Sequence, residues 1–141
     1  MSVKLFPYFD FDDLKLVNLD LFQYGVDRST LFTQLILLSK KKMSIDWLKR
    51  QIFDCSQFKP KTLKRTTLSL NKELVRYVDN LCLQLNCSYS EYLRFLMVYY
   101  VRMSYFERCE LLGKCSRICA FSKHLTLRRM GRAKLGKYCR K

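Results

Sequence analysis

In the stretch KRTTLSLNK, Arg65, Thr67 and Ser69 fall on one face of an extended chain, and Thr66, Leu68 and Leu70 fall on the other. A cation followed by two short hydroxyls at alternate positions is a set that can read base edges. An Arg fork matches guanine O6 and N7, and Thr and Ser donate and accept over a short reach. The period then changes: Asn71 can cap a helix, and Leu74, Val75, Val78, Leu81, Cys82 and Leu85 follow at spacings of three and four. A short, polar-faced strand therefore runs straight into an amphipathic helix.

A second set of residue types near the C-terminus could do metal chemistry. Zinc takes four thiolate or imidazole ligands, and Cys115, Cys119, His124 and Cys139 are the candidates. Three residues separate Cys115 from Cys119, but the other intervals are loose, so our expectation is no metal and no cofactor. Catalysis finds no constellation either. His124 is the sole histidine, it sits in a basic stretch, and no carboxylate pair, phosphate loop or nucleophile motif accompanies it.

The composition points to a polyanion as partner. The 141 residues include 27 Lys and Arg against 12 Asp and Glu, a formal charge of +15. Residues 1–60 hold 9 basic and 7 acidic residues, whereas 61–141 hold 18 and 5, so the second part is the expected site of contact. No run of about 18 uncharged apolar residues exists, and MSVKLFPYFDFDD is acidic where a signal peptide would be basic. Seven cysteines, an odd number without a secretory signal, read as reduced thiols in a cytoplasmic protein with no membrane contact.

The elements that must position these groups divide the chain into four segments. Residues 1–58 read as an N-terminal helical region. LKLVNLDLF (14–22) alternates loosely like a strand, DRSTLFTQLILLSKKK is a helix capped by Asp27 or Ser29, and SIDWLKRQIF is a second helix capped by Ser44. That pair reads as a packed hairpin through Leu31, Leu35, Ile36, Ile45, Leu48 and Ile52; the sharper alternative is a helix-turn-helix with Trp47, Lys49 and Arg50 on a recognition helix. Residues 59–63, around Pro60, read as a linker. Residues 64–113 hold the strand, its helix ending at Asn86 in the left-handed region, and a second helix capped by Ser88 and running to Leu112. Residues 114–141 form a basic, cysteine-containing tail broken by Gly131 and Gly136. The second helix is apolar almost all round. Leu93, Leu96, Met97 and Tyr100 have no obvious cover within so small a module, and the lone strand has no partner, so both needs predict a homodimer.

Leu63–Arg102, with KRTTLSLN and SYSEYLRFLMVYYV, resembles the ribbon-helix-helix superfamily of the MetJ, Arc and CopG repressors. The resemblance implies a mainly α fold built on one strand and two helices, intertwined with a second chain. It also implies a two-stranded antiparallel ribbon in the major groove of duplex DNA, acting as a transcriptional repressor. Carried over, the base readers are Arg65, Thr67 and Ser69. The phosphate contacts are Lys64 at the strand start and the helix N-terminus at Ser88, Tyr89 and Ser90. Arg128, Arg129 and Arg132 of the tail add phosphate contacts on charge alone. The family also contains antitoxins, whose N-terminal part would grip a protein partner, and plasmid-transfer accessory proteins. A reading from another class is a basic RNA-binding or nucleic-acid-packaging protein without base readout.

Overall fold

The computed structural model describes residues 2–57 and 62–129, the side chains of 56, 57 and 121–129 left aside. The order is β1 (Ser2–Leu5), β2 (Tyr8–Asp10), α1 (Phe11–Tyr24), α2 (Arg28–Lys42), α3 (Ile45–Gln57), β3 (Leu63–Arg65), β4 (Leu68–Asn71), α4 (Lys72–Leu85), α5 (Tyr89–Arg102) and α6 (Tyr105–Arg129). Among the described residues no helix is long and apolar enough to cross a membrane.

The strand predicted to need a second chain has its partner at the N-terminus of its own chain. β1 pairs antiparallel with β4, from Ser2 opposite Asn71 to Leu5 opposite Leu68. β2 pairs antiparallel with β3, from Tyr8 opposite Arg65 to Asp10 opposite Leu63. The two ladders share one register, with Phe6 and Pro7 opposite Thr67 and Thr66, and the Thr66 amide donates to the Pro7 carbonyl at 2.9 Å. Together they form one ribbon, 2–10 against 63–71. Pro7 lacks an amide proton, which accounts for the gap between the ladders.

Each half of the ribbon launches the same series of helices, 61 positions apart. Asp10 caps α1 by accepting from the Asp13 amide, and Asn71 caps α4 by accepting from the Glu73 amide. Gly25 (φ 64°) and Asn86 (φ 54°) end those helices in the left-handed region, which Gly and Asn tolerate best. Asp27 and Ser88 then cap α2 and α5. Even the third helices correspond, one position closer at 60 apart, because Met43 and Met103 terminate α2 and α5, and Ser44 and Ser104 accept from the amides of Trp47 and Glu107, both at 3.2 Å.

The core repeats with the caps. Phe9, Leu14, Val17, Leu21, Leu31, Phe32, Leu35 and Ile36 are buried in the first half; Leu70, Val75, Val78, Cys82, Tyr92, Leu93, Leu96 and Met97 are buried at the matching positions of the second. The third helix of each half packs across onto the other: α3 on α4 and α5, α6 on α1 and α2. Trp47 meets Phe95 edge-on at 5.9 Å. The Tyr100 hydroxyl donates to Asp20 Oδ2 at 2.8 Å, and Arg108 lies 3.9 Å from the same carboxylate oxygen, joining α5, α1 and α6.

Several expectations are corrected by this arrangement. The expected unit, one strand and two helices completed by an intertwined second chain, is wrong for this chain: the described residues form six helices and four short strands, and close their own ribbon and core. Leu93, Leu96, Met97 and Tyr100 are at most 1 % exposed within a single chain, so the ground for expecting intertwining is gone. The N-terminal region is not a helical extension, since its first residues supply half the ribbon. Residues 14–22 lie in α1 rather than a strand: Leu14, Val17 and Leu21 face the core, while Leu19 and Phe22 are exposed. The second helix stops at Arg102 because Ser104 caps a new one, and that helix passes through Gly113 to Arg129. Of the expected linker, 59–61 lie outside the described residues, and Leu63 already belongs to β3.

Candidate nucleic-acid interface

Alternation along the ribbon sorts its residues onto two faces. Pro7, Phe9, Thr66, Leu68 and Leu70 turn inward and are buried, with Phe9 stacked on Phe32 at 5.2 Å. The other face carries Arg65, Thr67 and Ser69, as the sequence implied, and next to them Lys4, Phe6 and Tyr8 from the opposite strand. Lys4 lies opposite Ser69, Phe6 opposite Thr67 and Tyr8 opposite Arg65. Five of these six are exposed and Ser69 is half-buried. The guanidinium of Arg65 sits 4.5 Å above the Phe6 ring, a cation–π contact between the two strands.

The ribbon's outer edges are tied down in matching ways. The Tyr8 amide donates to Ser90 Oγ at 2.9 Å, and the Ser69 amide donates to Ser29 Oγ at 3.2 Å. Arg94 Nε donates to the Tyr8 carbonyl and Arg28 Nη1 to the Thr67 carbonyl, at 3.3 and 3.4 Å. Exposed strand edges invite pairing with other chains, and here the N-terminal turns of α5 and α2 bond those positions. Burial disfavours the charged form of Arg28 and lowers its pKa, although a guanidinium remains cationic.

Ser88 and Ser90 are therefore both engaged within the protein. Ser88 Oγ accepts from the Glu91 amide, Glu91 returns a bond to the Ser88 amide, and Ser90 holds Tyr8. Tyr89 opens the helix beside them. Lys64 is exposed at the ribbon's end, with its ammonium 5.5 Å from the Phe11 ring. Arg128 and Arg129 lie in the last turn of α6, and Arg132 lies outside the described residues.

The charges differ between the two strand-to-helix junctions. Asp10, Asp12 and Asp13 crowd the start of α1, and burial, aided by Asp10 and Asp12, raises the pKa of Asp13 above 3.8. Lys72 opens α4 with a single acid, Glu73, in its first turn.

The metal candidates do not converge among the described residues. Cys115 and Cys119 are buried on the core side of α6, where burial pushes the Cys115 thiol up to about 11 and Cys119 lies 3.5 Å from Thr30 Oγ1. The His124 side chain and Cys139 lie outside the described residues. No group of three or more His, Cys, Asp or Glu among the described residues is placed to hold a metal ion. In the helix-turn-helix alternative Trp47 would face DNA; instead it packs on Phe95.

Lys4, Phe6 and Tyr8 escaped the sequence reading. Their signal was weak: in VKLFPYF only Lys4 is charged and Phe6 is as apolar as the inward Leu5 and Phe9, so no polar face stands out, and Pro7 interrupts the run. Comparison with protein-family models, with curated proteins and with solved structures gave no match.

Proposed function

We propose that this protein binds duplex DNA by laying the outward face of its ribbon in the major groove and reading base edges there, and that occupancy of such a site serves to repress transcription. One observation carries the reading: six side chains suited to base contact stand in three facing pairs on the solvent face of a two-stranded ribbon, whose other face is buried. A ribbon of that width fits the major groove, where Arg or Lys pairs with guanine, hydroxyls bond either partner and apolar groups meet the thymine methyl. The likeness of Leu63–Arg102 to ribbon-helix-helix repressors supports the same reading from sequence. The overall charge of +15 supports a polyanion, with Lys64 and the basic residues after Ser122 supplying contacts that are independent of sequence. The setting that fits reduced thiols and a DNA target is the cytoplasm.

The test compares the parent with Arg65→Ala, Lys4→Ala and Thr67→Ala on the duplex best enriched from a randomised pool and on a scrambled duplex, at one salt concentration. Loss of Arg65 should weaken binding to the enriched duplex by roughly 1–3 kcal/mol, with Lys4 and Thr67 at the lower end of that range. Affinity for the scrambled duplex should change far less, and thermal stability should hold, because these side chains are exposed. Equal binding of all four proteins to both duplexes would rule out readout by the ribbon; stronger binding to single-stranded RNA than to either duplex would favour a packaging role.

A further inference from the structure

The ribbon comes from one chain, so its two strands are free to differ in a way that two copies of one strand never are. The local two-fold axis passes through the Phe6–Thr67 pair, because equivalent positions lie 61 apart and Phe6 stands opposite its own equivalent. Around that axis Lys4 corresponds to Arg65, Phe6 to Thr67 and Tyr8 to Ser69. Types agree at the ends, cation for cation and hydroxyl for hydroxyl. Reach and hydrogen-bonding capacity do not. Arg65 offers a bidentate fork where Lys4 offers a point charge, Phe6 offers an apolar ring where Thr67 offers a hydroxyl, and the Tyr8 hydroxyl stands several ångströms further out than that of Ser69.

We propose that a single chain recognises a duplex site without dyad symmetry. This rests on the duplex-binding reading above and adds the form of the target. A two-fold dimer presents identical half-faces and selects a palindrome. Here one end of the ribbon brings Arg65 and Tyr8 together, and the other end brings Lys4 and Ser69. Arg65 selects guanine at the first end. At the central pair, on one strand only, Phe6 meets a thymine methyl. The junctions differ as well: Asp10, Asp12 and Asp13 at the start of α1 stand beside Lys15 and Lys64, whose ammonium groups lie over the Phe11 ring, whereas α4 opens with Lys72 and the single acid Glu73.

Selection of bound sequences from a randomised duplex pool by the full chain, followed by sedimentation of the complex, decides the matter. The expected consensus has no dyad, one chain occupies each duplex, and the consensus binds roughly 5- to 100-fold more tightly than either palindrome built from one of its halves. The variant Lys4→Arg/Phe6→Thr/Tyr8→Ser makes the two outward faces alike; all three positions are exposed, and its consensus should move to a palindrome while the stoichiometry stays one to one. A parent consensus that is palindromic, or two chains on each duplex, would overturn the asymmetric target and leave duplex binding intact. No enrichment, with equal affinity for every duplex, would instead remove the duplex reading itself and this inference with it.

Discussion

The first half of the molecule (2–57) and the second (62–129) follow one plan with almost no shared sequence. Between 2–42 and 63–103 the identical pairs are Val17 and Val78, Gln23 and Gln84, Ser29 and Ser90, and Leu35 and Leu96. Three of the four have a visible task. Val17, Val78, Leu35 and Leu96 are fully buried, and Ser29 and Ser90 each hold the opposite strand's edge. Apart from Gln23 and Gln84, the aligned positions outside those tasks have diverged, and so has the charge, which is nearly balanced in the first 60 residues and strongly positive after them. The plan is enforced by burial and capping, which constrain few positions, while the outward ribbon face answers only to whatever it touches.

The sharpest way to break the comparison is to cut the same core position in both halves. Leu35→Ala and Leu96→Ala each remove a fully buried leucine, one from α2 and one from α5, which pack on each other, and each should cost roughly 2–5 kcal/mol in one shared unfolding transition. Thermal or denaturant unfolding with two probes checks this. Two separate transitions, or one variant left near parent stability, would mean that the halves do not fold as one unit.

A smaller effect is expected at the paired helix ends. Gly25 and Asn86 both adopt left-handed backbone, so Gly25→Ala should destabilise by about 1 kcal/mol, whereas Asn86→Gly should change stability by a few tenths in either direction. A Cβ on Gly25 meets nothing within 4 Å, so any loss reports the backbone conformation rather than a clash. An unchanged denaturation midpoint for Gly25→Ala would show that the turn tolerates the side chain.

The smallest effect sharpens the contrast in charge. Asp13 is an acid whose folded pKa is raised, chiefly by burial and further by Asp10 and Asp12, so its charged form costs stability above the raised value. Asp13→Asn should stabilise at pH 7 by less than about 1 kcal/mol, solvent screening of this partly exposed group included. The gain should shrink as pH falls through the folded value and vanish below 3.8, the ordinary value. A pH series of melting temperatures reads this directly; destabilisation at neutral pH would mean that the favourable charge of Arg102 outweighs burial.

Much of the local structure was legible in the residues. Asp27, Asn71 and Ser88 cap the helices they were expected to cap, Asn86 is left-handed, and Arg65, Thr67 and Ser69 share the outward face while Leu68 and Leu70 turn in. Each of these depends on neighbours within about four positions, through alternation or a side-chain bond to a nearby amide. The segment 14–22 was misread because Leu16, Leu19 and Phe22 blur a helical stripe with apolar residues that face solvent. The apolar excess of α5 was legible too; that it demanded cover followed from the sequence, but the source of the cover did not.

What only the tertiary structure decided is that the cover and the missing strand both come from the same chain. Pairing Ser2 with Asn71 closes a long loop, and such a contact leaves no mark on either segment, since a strand edge bonds any backbone of suitable direction and register. Sequence alone determined that the segment 65–71 is a two-faced strand in need of a partner, because side-chain alternation is local. Whether that partner is a second copy or residues 2–10 was settled by packing: residues 2–10 pair with the strand, with Phe9 against Phe32 and the Tyr8 amide on Ser90, so lysine, phenylalanine and tyrosine complete the outward face.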